Sequence, residues 1–267
     1  MLQKSGYDSS PRLGPVHLNV EHLIDMAAFY SAALALRTQR RGEGELALGL
    51  GGEDLLVLHE ADNPRPAGPH AGLYHFCLAV ERREDLGWWL NNLVDGGFEI
   101  QGMVDHRMAE AIYIQDPEGN SIELNWDRPR SEWRPWSEWL SMGNGPLDTR
   151  GLLEVNAKAG PRKSPPSDTR VGHIHLHVGD LEASKKFYIG KLGLDVMAEI
   201  PGQAVFTSYG GYHHHVAFNL WRGRGIPAAL EGAPGLRHFT FMGGDNAGEH
   251  SDPSGNRVIF QANGVIL

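Results

Sequence analysis

Histidine is the residue type that this sequence uses in unusual number and in a recurring place. Fourteen of the 267 residues are histidines, whereas the chain has one cysteine, Cys77. Four short stretches of alternating apolar and polar residues begin with glycine and carry a histidine near their start. These histidines are His17, His75, His173 and His238. A neutral imidazole is a common metal ligand and also exchanges protons near neutral pH, so the pattern indicates metal binding or acid–base catalysis.

Strand alternation decides which of these side chains can meet. Large apolar residues fill one face of the strand that carries His75, and His75 lies on the other face. Glu123 likewise points away from its apolar neighbours, and His173 shares a face with His175 and His177. A sheet curved into a funnel would bury the bulky faces under helices and turn His75, Glu123 and His173 into one cavity. Strand parity therefore allows these three side chains to meet.

Two imidazoles and one carboxylate form the ligand set of non-haem Fe(II) sites that keep other coordination positions open. Any one of these residues alone would more often be a solvated strand residue, since most glutamates are exposed. Their recurrence at matching places in the repeats favours a metal site over scattered polar residues.

The elements that must position these residues repeat along the chain. Each of the first three histidine strands is followed by a polar turn, an amphipathic helix and further short strands. The predicted helices are Leu23–Leu34, Asp85–Asp95 and Leu181–Lys191, and the last strands are Leu55–His59, Ser121–Trp126 and Val216–Trp221. The fourth copy is truncated, because no helical pattern follows Phe241. An Asp-Pro-x-Gly-Asn turn leads into a final strand at 116–120 and again at 252–256.

These repeats predict the domain organisation. Residues 12–131 hold two βαβββ units, 132–168 form a linker, and 169–267 hold one βαβββ unit and the truncated fourth unit. Trp133, Trp136 and Trp139 are predicted to pack the linker rather than to bind an aromatic ligand.

Composition excludes several classes of function. The chain has 24 basic and 33 acidic residues, a net charge of -9, which argues against a nucleic-acid-binding surface. No apolar run approaches the roughly 18 residues of a membrane helix, and Met1–Pro15 lacks the apolar core of a signal peptide. With one cysteine, a reducing cytoplasm is the simplest expected location. We find no phosphate-binding glycine loop and no nucleophile triad.

Several motifs together point to a family. They are the repeated βαβββ unit with its Asp-Pro-x-Gly-Asn ending, Gly72-Leu-Tyr-His-Phe76, Asp127-Arg-Pro-Arg130, Gly172-His-Ile-His-Leu-His177 and Gly211-Tyr-His-His-His215. From Pro15 to Gln261 the chain resembles the glyoxalase/bleomycin-resistance/extradiol-dioxygenase superfamily, also called vicinal oxygen chelate, and more narrowly bacterial catechol-2,3-dioxygenase-like proteins. The resemblance implies an α+β fold of about four tandem βαβββ units, the last truncated, forming funnel-like curved sheets.

The resemblance also implies that the metal ligands come from the first and last strands of two facing units. His75 and Glu123 belong to the second unit and are common to every pairing. Pairing with the third unit adds His173, and pairing with the first adds His17. We favour His173, because the third unit also holds the histidines at 213–215, and His17 is the alternative.

In the resembled ring-cleaving enzymes a histidine lies beside the oxygen that binds the metal, and the alignment assigns that acid–base role to His214. Tyr113, ten residues before Glu123, matches a family tyrosine that hydrogen-bonds the substrate hydroxyl. His106 resembles a second family histidine near the oxygen, although it stands closer to Tyr113 than in those enzymes. Further candidates for lining the cavity are His175, His177, Tyr209 and Trp221.

The sequence therefore predicts an extradiol dioxygenase, dependent on Fe(II) or alternatively Mn(II), that cleaves a small catechol-like diol with O2. One alternative is a glyoxalase-type isomerase or lyase, which would favour a second carboxylate or a glutamine as a fourth ligand. The other is a non-enzymatic protein that binds an aromatic ligand in the same funnel. Neither a nucleic acid nor a membrane is an expected partner, and assembly into a homo-oligomer stays open.

Overall fold

The computed structural model describes residues 11–161, 165–244 and 246–261, which form two mixed β-sheets with helices packed on them. Three βαβββ units and a fourth unit without a helix follow one another along the chain, so the predicted α+β class is confirmed. Residues 162–164 of the predicted linker and 262–267 of the predicted last unit lie outside the described residues, as does most of the Met1–Pro15 segment.

The elements follow the predicted repeat closely. The first unit contains β1 (Arg12–Val20), α1 (Leu23–Leu34), β2 (Arg37–Gly42), β3 (Glu45–Gly49) and β4 (Asp54–Glu60). The second contains β5 (Gly72–Val80), α2 (Arg83–Asp95), β6 (Gly102–Asp105), β7 (Ala109–Gln115) and β8 (Ser121–Asp127). A 3₁₀ turn (Arg130–Glu132), α3 (Trp136–Met142), β9 (Gly145–Pro146) and α4 (Thr149–Ala159) connect it to the third unit.

The third unit contains β10 (Arg170–His177), α5 (Leu181–Lys185) with a π-helical continuation (Lys186–Lys191), β11 (Asp195–Ile200), β12 (Ala204–Ser208) and β13 (Val216–Asn219). The fourth contains β14 (Gly235–Met242), β15 (Gly248–Ser251) and β16 (Arg257–Gln261). The part of α1 that faces the core is Met26, Tyr30, Ala33 and Leu34, which recur at helical spacing.

The units pair in a nested order. The first sheet runs β15-β16-β14-β1-β4-β3-β2, so it joins the first and fourth units through the antiparallel pair β1–β14. The second sheet runs β11-β12-β13-β10-β5-β8-β7-β6-β9 and joins the second and third units through the antiparallel pair β5–β10. The second unit therefore faces the third, which is the pairing favoured from the sequence.

The tyrosine that recurs in the helices and the aspartate that recurs in the Asp-Pro-x-Gly-Asn turns form hydrogen bonds with each other. The Tyr30 hydroxyl donates to Asp116 Oδ2 at 2.7 Å, and the Tyr188 hydroxyl donates to Asp252 Oδ2 at 3.0 Å. Each aspartate opens one of the Asp-Pro-x-Gly-Asn turns and is buried, so it needs hydrogen-bond donors to compensate for lost hydration. A helix tyrosine of the first or third unit thus fixes the final turn of the next unit.

The segment between the second and third units is part of the packed structure. Helix α4 packs on α2, where Gly87 lies so close to Leu152 that a Cβ at position 87 would stand 2.8 Å from the Leu152 carbonyl oxygen. β9 adds to the edge of the second sheet beside β6. Among the described residues, no helix has both the length and the apolar character needed to span a membrane.

Candidate metal centre

Three adjacent strands in the middle of the second sheet carry the predicted metal ligands. β5 lies between β10 and β8, so His173, His75 and Glu123 come from neighbouring strands. Residues of the opposite parity pack in the hydrophobic core, namely Phe76, Leu78, Ile122, Leu124, Ile174 and Leu176. Strand alternation turns the three polar side chains to the other face, where they line a cavity.

The three side chains converge on one point. His75 Nε2 and His173 Nε2 are 3.1 Å apart, and Glu123 Oε2 lies 3.1 Å from the first and 3.0 Å from the second. Ligand atoms held about 2.1 Å from an octahedral ion and at right angles lie about 3 Å from one another. The donor set and its spacing thus fit one face of an octahedral metal ion.

The local charges suit the binding of a cation. Burial would raise the pKa of Glu123, but the imidazoles of His173 and His75 hold it well below its usual value, so the carboxylate is ionised. Burial lowers the pKa of His173, although Glu123 opposes the shift, so its ring is neutral. An anionic carboxylate and a neutral imidazole are the forms that ligate a metal.

The histidines at 213–215 lie outside any strand. β13 begins only at Val216, so strict alternation does not apply and both His213 and His214 face the cavity. His215 turns away, and its Nδ1 lies 2.9 Å from Ser208 Oγ. The ring of His214 lies 4.1 Å from that of His173, measured between centroids.

A hydrogen-bonded chain leads from a buried carboxylate to His214. Asp127 Oδ1 lies 2.9 Å from His213 Nε2, and His213 Nδ1 lies 2.8 Å from His214 Nδ1. Burial would raise the pKa of Asp127, but His213 and Arg170 lower it to about 2, so Asp127 can only accept. In its neutral form His213 would donate from Nε2 to this carboxylate and accept at Nδ1. His214 donates from Nδ1, which leaves the lone pair of His214 on Nε2.

The same region offers a second group of ligands. Nitrogen atoms of His173, His213 and His214 also lie within 4.8 Å of one another. However, this group has no carboxylate, and one nitrogen of His213 is engaged by Asp127. The group of His75, Glu123 and His173 is the better match to a divalent metal that must keep open positions.

Tyr113 and His106 lie together at the cavity wall. The Tyr113 hydroxyl is 2.8 Å from His106 Nε2, and His106 Nδ1 is 3.0 Å from Asn144 Oδ1. Tyr113 is the partner of Glu123 in the β7–β8 pairing, and its ring lies 5.8 Å from that of His75. Burial and the neighbouring Glu123 carboxylate raise the pKa of Tyr113 well above its usual value, so the hydroxyl keeps its proton.

The cavity has a volume of about 460 Å³ and includes residues that sequence reasoning missed. Trp136 and Trp139 of α3 line it, contrary to the expectation that they only pack the linker. The three-residue spacing of these tryptophans indicated that they share one face of a short helix. The local sequence does not show that this helix lies over the sheet. Of the further candidates, His175 and Trp221 line the cavity, whereas the Tyr209 hydroxyl donates to the Leu192 carbonyl.

His17, the alternative third ligand, lies in the first sheet and does not join the group. Its Nδ1 is 2.9 Å from His59 Nε2, and its ring stacks on His238 at 3.9 Å between centroids. Burial, His238 and His59 lower the pKa of His17 to about 2, and burial and His59 lower that of His238 to about 3. The first sheet thus holds a cluster of neutral histidines, His17, His59 and His238.

This histidine cluster should make the protein less stable in acid. The unfolded histidines take up protons near pH 6.5, but folded His17 and His238 do not until about pH 3 or below. The contribution of these two histidines to stability is therefore fully present above pH 6.5 and is lost as the pH falls towards 3. Replacing both residues with glutamine should reduce the slope of the free energy of unfolding against pH by up to about 2.7 kcal/mol per pH unit. Urea unfolding at pH 7, 6 and 5 measures this, and parallel curves for the two proteins would contradict it.

Comparisons with known proteins agree with this architecture. A sequence profile of the Glyoxalase/Bleomycin resistance protein/Dioxygenase superfamily matches residues 12–124 and 170–245. The chain is 38% identical over 238 residues to a Bacillus subtilis (strain 168) protein named catechol-2,3-dioxygenase, covering 86% of this chain and 82% of the relative.

Two solved structures show the same fold at low sequence identity. Glyoxalase I of Zea mays superimposes with a TM-score of 0.58 at 17% identity, over 94% of this chain and 92% of the maize chain. The CppA protein of Streptococcus pneumoniae TIGR4 gives a TM-score of 0.57 at 13% identity, over 94% of this chain and 100% of the other. Both likenesses concern the fold alone.

Proposed function

Because the chain belongs to the glyoxalase/bleomycin resistance protein/dioxygenase superfamily, as its motifs predicted, we propose that it is an extradiol ring-cleaving dioxygenase. Its substrate is a catechol-like diol, and its second substrate is O2. Cleavage breaks one ring carbon–carbon bond beside the two hydroxyl groups and places both oxygen atoms of O2 in the product. The observation that carries the proposal is the group of His75, Glu123 and His173, whose ligand atoms lie about 3 Å apart in the cavity.

His75, Glu123 and His173 would hold the metal, Fe(II) or alternatively Mn(II). Such an ion would supply open positions for the diol and for O2 and would mediate the electron transfer between them. The protein's part is to hold the three ligands on one face in the ionisation states that bind metal. The ligands come from three neighbouring strands of one sheet, whose other face is packed on the core by Phe76, Ile122 and Ile174.

His214 is the proposed acid–base group. Its Nε2 carries the lone pair in the hydrogen-bonded chain from Asp127, so it can accept the proton of a substrate hydroxyl. Burial lowers the pKa of His214 well below its usual value, so the ring is neutral before the substrate arrives. Asp127 and His213 act as positioning residues, because they set the tautomer and the orientation of His214.

Tyr113 and His106 are proposed to orient the substrate. The Tyr113 hydroxyl keeps its proton and can donate it in a hydrogen bond to a substrate oxygen near Glu123. His106 would donate from Nε2 to the same hydroxyl, which leaves the hydroxyl proton for the substrate, and its Nδ1 contacts the Asn144 amide, so it holds the tyrosine in place.

The glyoxalase-type alternative has less support. That chemistry favours a second carboxylate or a glutamine as a fourth ligand, whereas the side chains beside His173 are His213 and His214. Among the described residues that line the cavity, Glu123 is the one carboxylate. Gln101 also lines the cavity, but it lies outside both groups of possible ligands.

Metal analysis and oxygen uptake test the proposal. Protein purified without air should contain about one Fe or Mn per chain, consume one O2 per catechol and form a ring-opened product. The alternative is measured in parallel with the hemithioacetal of methylglyoxal and glutathione. Isomerisation of that compound without oxygen uptake on any catechol would replace the proposed function with the glyoxalase type, and neither activity would favour a binding protein.

A further inference from the structure

One wall of the cavity is built from apolar and aromatic side chains outside the metal ligands. Trp136 and Trp139 of α3 meet edge to face at 4.6 Å between centroids, and Phe206 of β12 lies 5.3 Å from Trp136. Ile200 of β11 packs against the same small cluster. We define Trp136, Trp139, Ile200 and Phe206 as the aromatic wall. It lies against the ring of His214, which is 5.3 Å from Phe206 and 6.5 Å from Trp136.

The cavity offers no basic side chain to an anionic substituent. None of the described residues that line it is a lysine or an arginine. The arginines that neighbour lining residues in sequence have partners of their own: Arg107 pairs with Asp105 at 3.6 Å, and Arg222 donates to the His70 carbonyl at 3.3 Å. Arg128 pairs with Asp105 at 3.2 Å and with Glu110 at 2.9 Å. Arg130 donates to the Gly211 carbonyl at 2.8 Å. Because an unpaired buried charge is costly, a carboxylated substrate would lose its hydration without compensation.

Three cavity histidines that are neither metal ligands nor the proposed base also have hydrogen-bond partners. His175 Nε2 lies 2.9 Å from Asn219 Nδ2, and both ring nitrogens of His106 are engaged by Tyr113 and Asn144. His213 is bonded to Asp127 and His214. These rings therefore do not form a free binding site for an anion.

The volume of the cavity is larger than an unsubstituted catechol ring requires. A volume of about 460 Å³ falls in the range of about 300–1,000 Å³ that binds drug-sized ligands. Resting on the proposed ring cleavage, we infer that the substrate is a catechol with an uncharged apolar substituent, such as an alkyl or aryl group. The aromatic wall binds that substituent while the diol lies at His75, Glu123 and His173.

A homologous series of substrates tests this inference. With catechol and its 4-methyl, 4-ethyl and 4-propyl derivatives, kcat/KM should rise about fourfold per added methylene, until the wall is covered. 3,4-Dihydroxybenzoate and 3,4-dihydroxyphenylacetate should be cleaved at least about a hundredfold less efficiently than 4-ethylcatechol. Calorimetry with 4-propylphenol and 4-hydroxybenzoate, which lack the second hydroxyl, should show the same preference in binding without turnover.

Trp136→Ala should keep the metal but lose most of the gain per methylene in both rate and binding. Trp88→Ala, which removes a half-buried tryptophan on α2 outside the cavity, is the matched control and should keep the full gain. Equal cleavage of alkyl and carboxylated catechols would overturn this inference and leave the proposed function intact. Failure to cleave any catechol would overturn the proposed function itself.

Discussion

Replacing Glu123 with alanine should give a folded protein that retains no metal and cleaves no catechol. Glu123 supplies the one anionic ligand of the proposed group, and its Oε2 lies about equally far from both imidazoles, at 3.1 and 3.0 Å. Loss of an outer-sphere partner alone typically costs about 10- to 100-fold in metal affinity, so loss of this ligand should cost more. Metal content per chain after dialysis, measured beside circular dichroism, checks both parts of the expectation.

His175→Gln is the matched control for the metal prediction. His175 lies on the same strand as His173 and on the same face, but its Nε2 is engaged by Asn219. The control should retain the metal. If Glu123→Ala kept its metal and His213→Ala lost it, the ion would belong to the group of His173, His213 and His214. The proposed ligand set would then be wrong.

Replacing His214 with glutamine should leave the metal in place and remove most of the turnover. Glutamine is close in size and still hydrogen-bonds, but it cannot accept and return a proton near neutral pH. Positioned acid–base groups contribute about 10²- to 10⁴-fold in rate, so kcat should fall by that factor while KM changes little. Oxygen uptake and metal content measured on the same sample separate this pattern from that of Glu123→Ala.

His177→Gln serves as the control for His214. His177 is a buried histidine at the end of β10. Its Nδ1 is 2.9 Å from Asn219 Oδ1, and it does not line the cavity. Its replacement should change kcat by less than about tenfold. Normal turnover by His214→Gln would remove His214 from the mechanism. Another group would then have to accept the proton of the substrate hydroxyl.

Local patterns were enough to predict most elements of the fold. The apolar spacing after each histidine strand predicted α1 at its observed bounds, and α2 begins two residues before the predicted Asp85. The truncated fourth unit followed from the missing helical pattern after Phe241. The pairing of whole units could not be predicted from local patterns, because β1 and β14 pair although they are far apart in sequence.

The site was predictable where strand alternation applies. Parity turned His75, Glu123 and His173 to one face, and the structure brings these side chains together. Their role as metal ligands stays a prediction. Alternation does not apply at 213–215, because these residues precede β13 and lie outside any strand. Trp136 and Trp139 were missed because their position over the cavity depends on how the segment after β8 folds back onto the sheet.

The nested pairing of the units also has a consequence for folding on the ribosome. Every strand of the second sheet lies between Gly72 and Asn219, so that sheet can be complete while later residues are still being synthesised. The first sheet cannot close until β14 emerges, and until then β1 exposes an unpaired edge with apolar residues beside it. The sheet that bears the candidate site should therefore form first. The first unit precedes the second sheet in the chain but completes its own sheet after it, so its strands should be exposed to aggregation for longer.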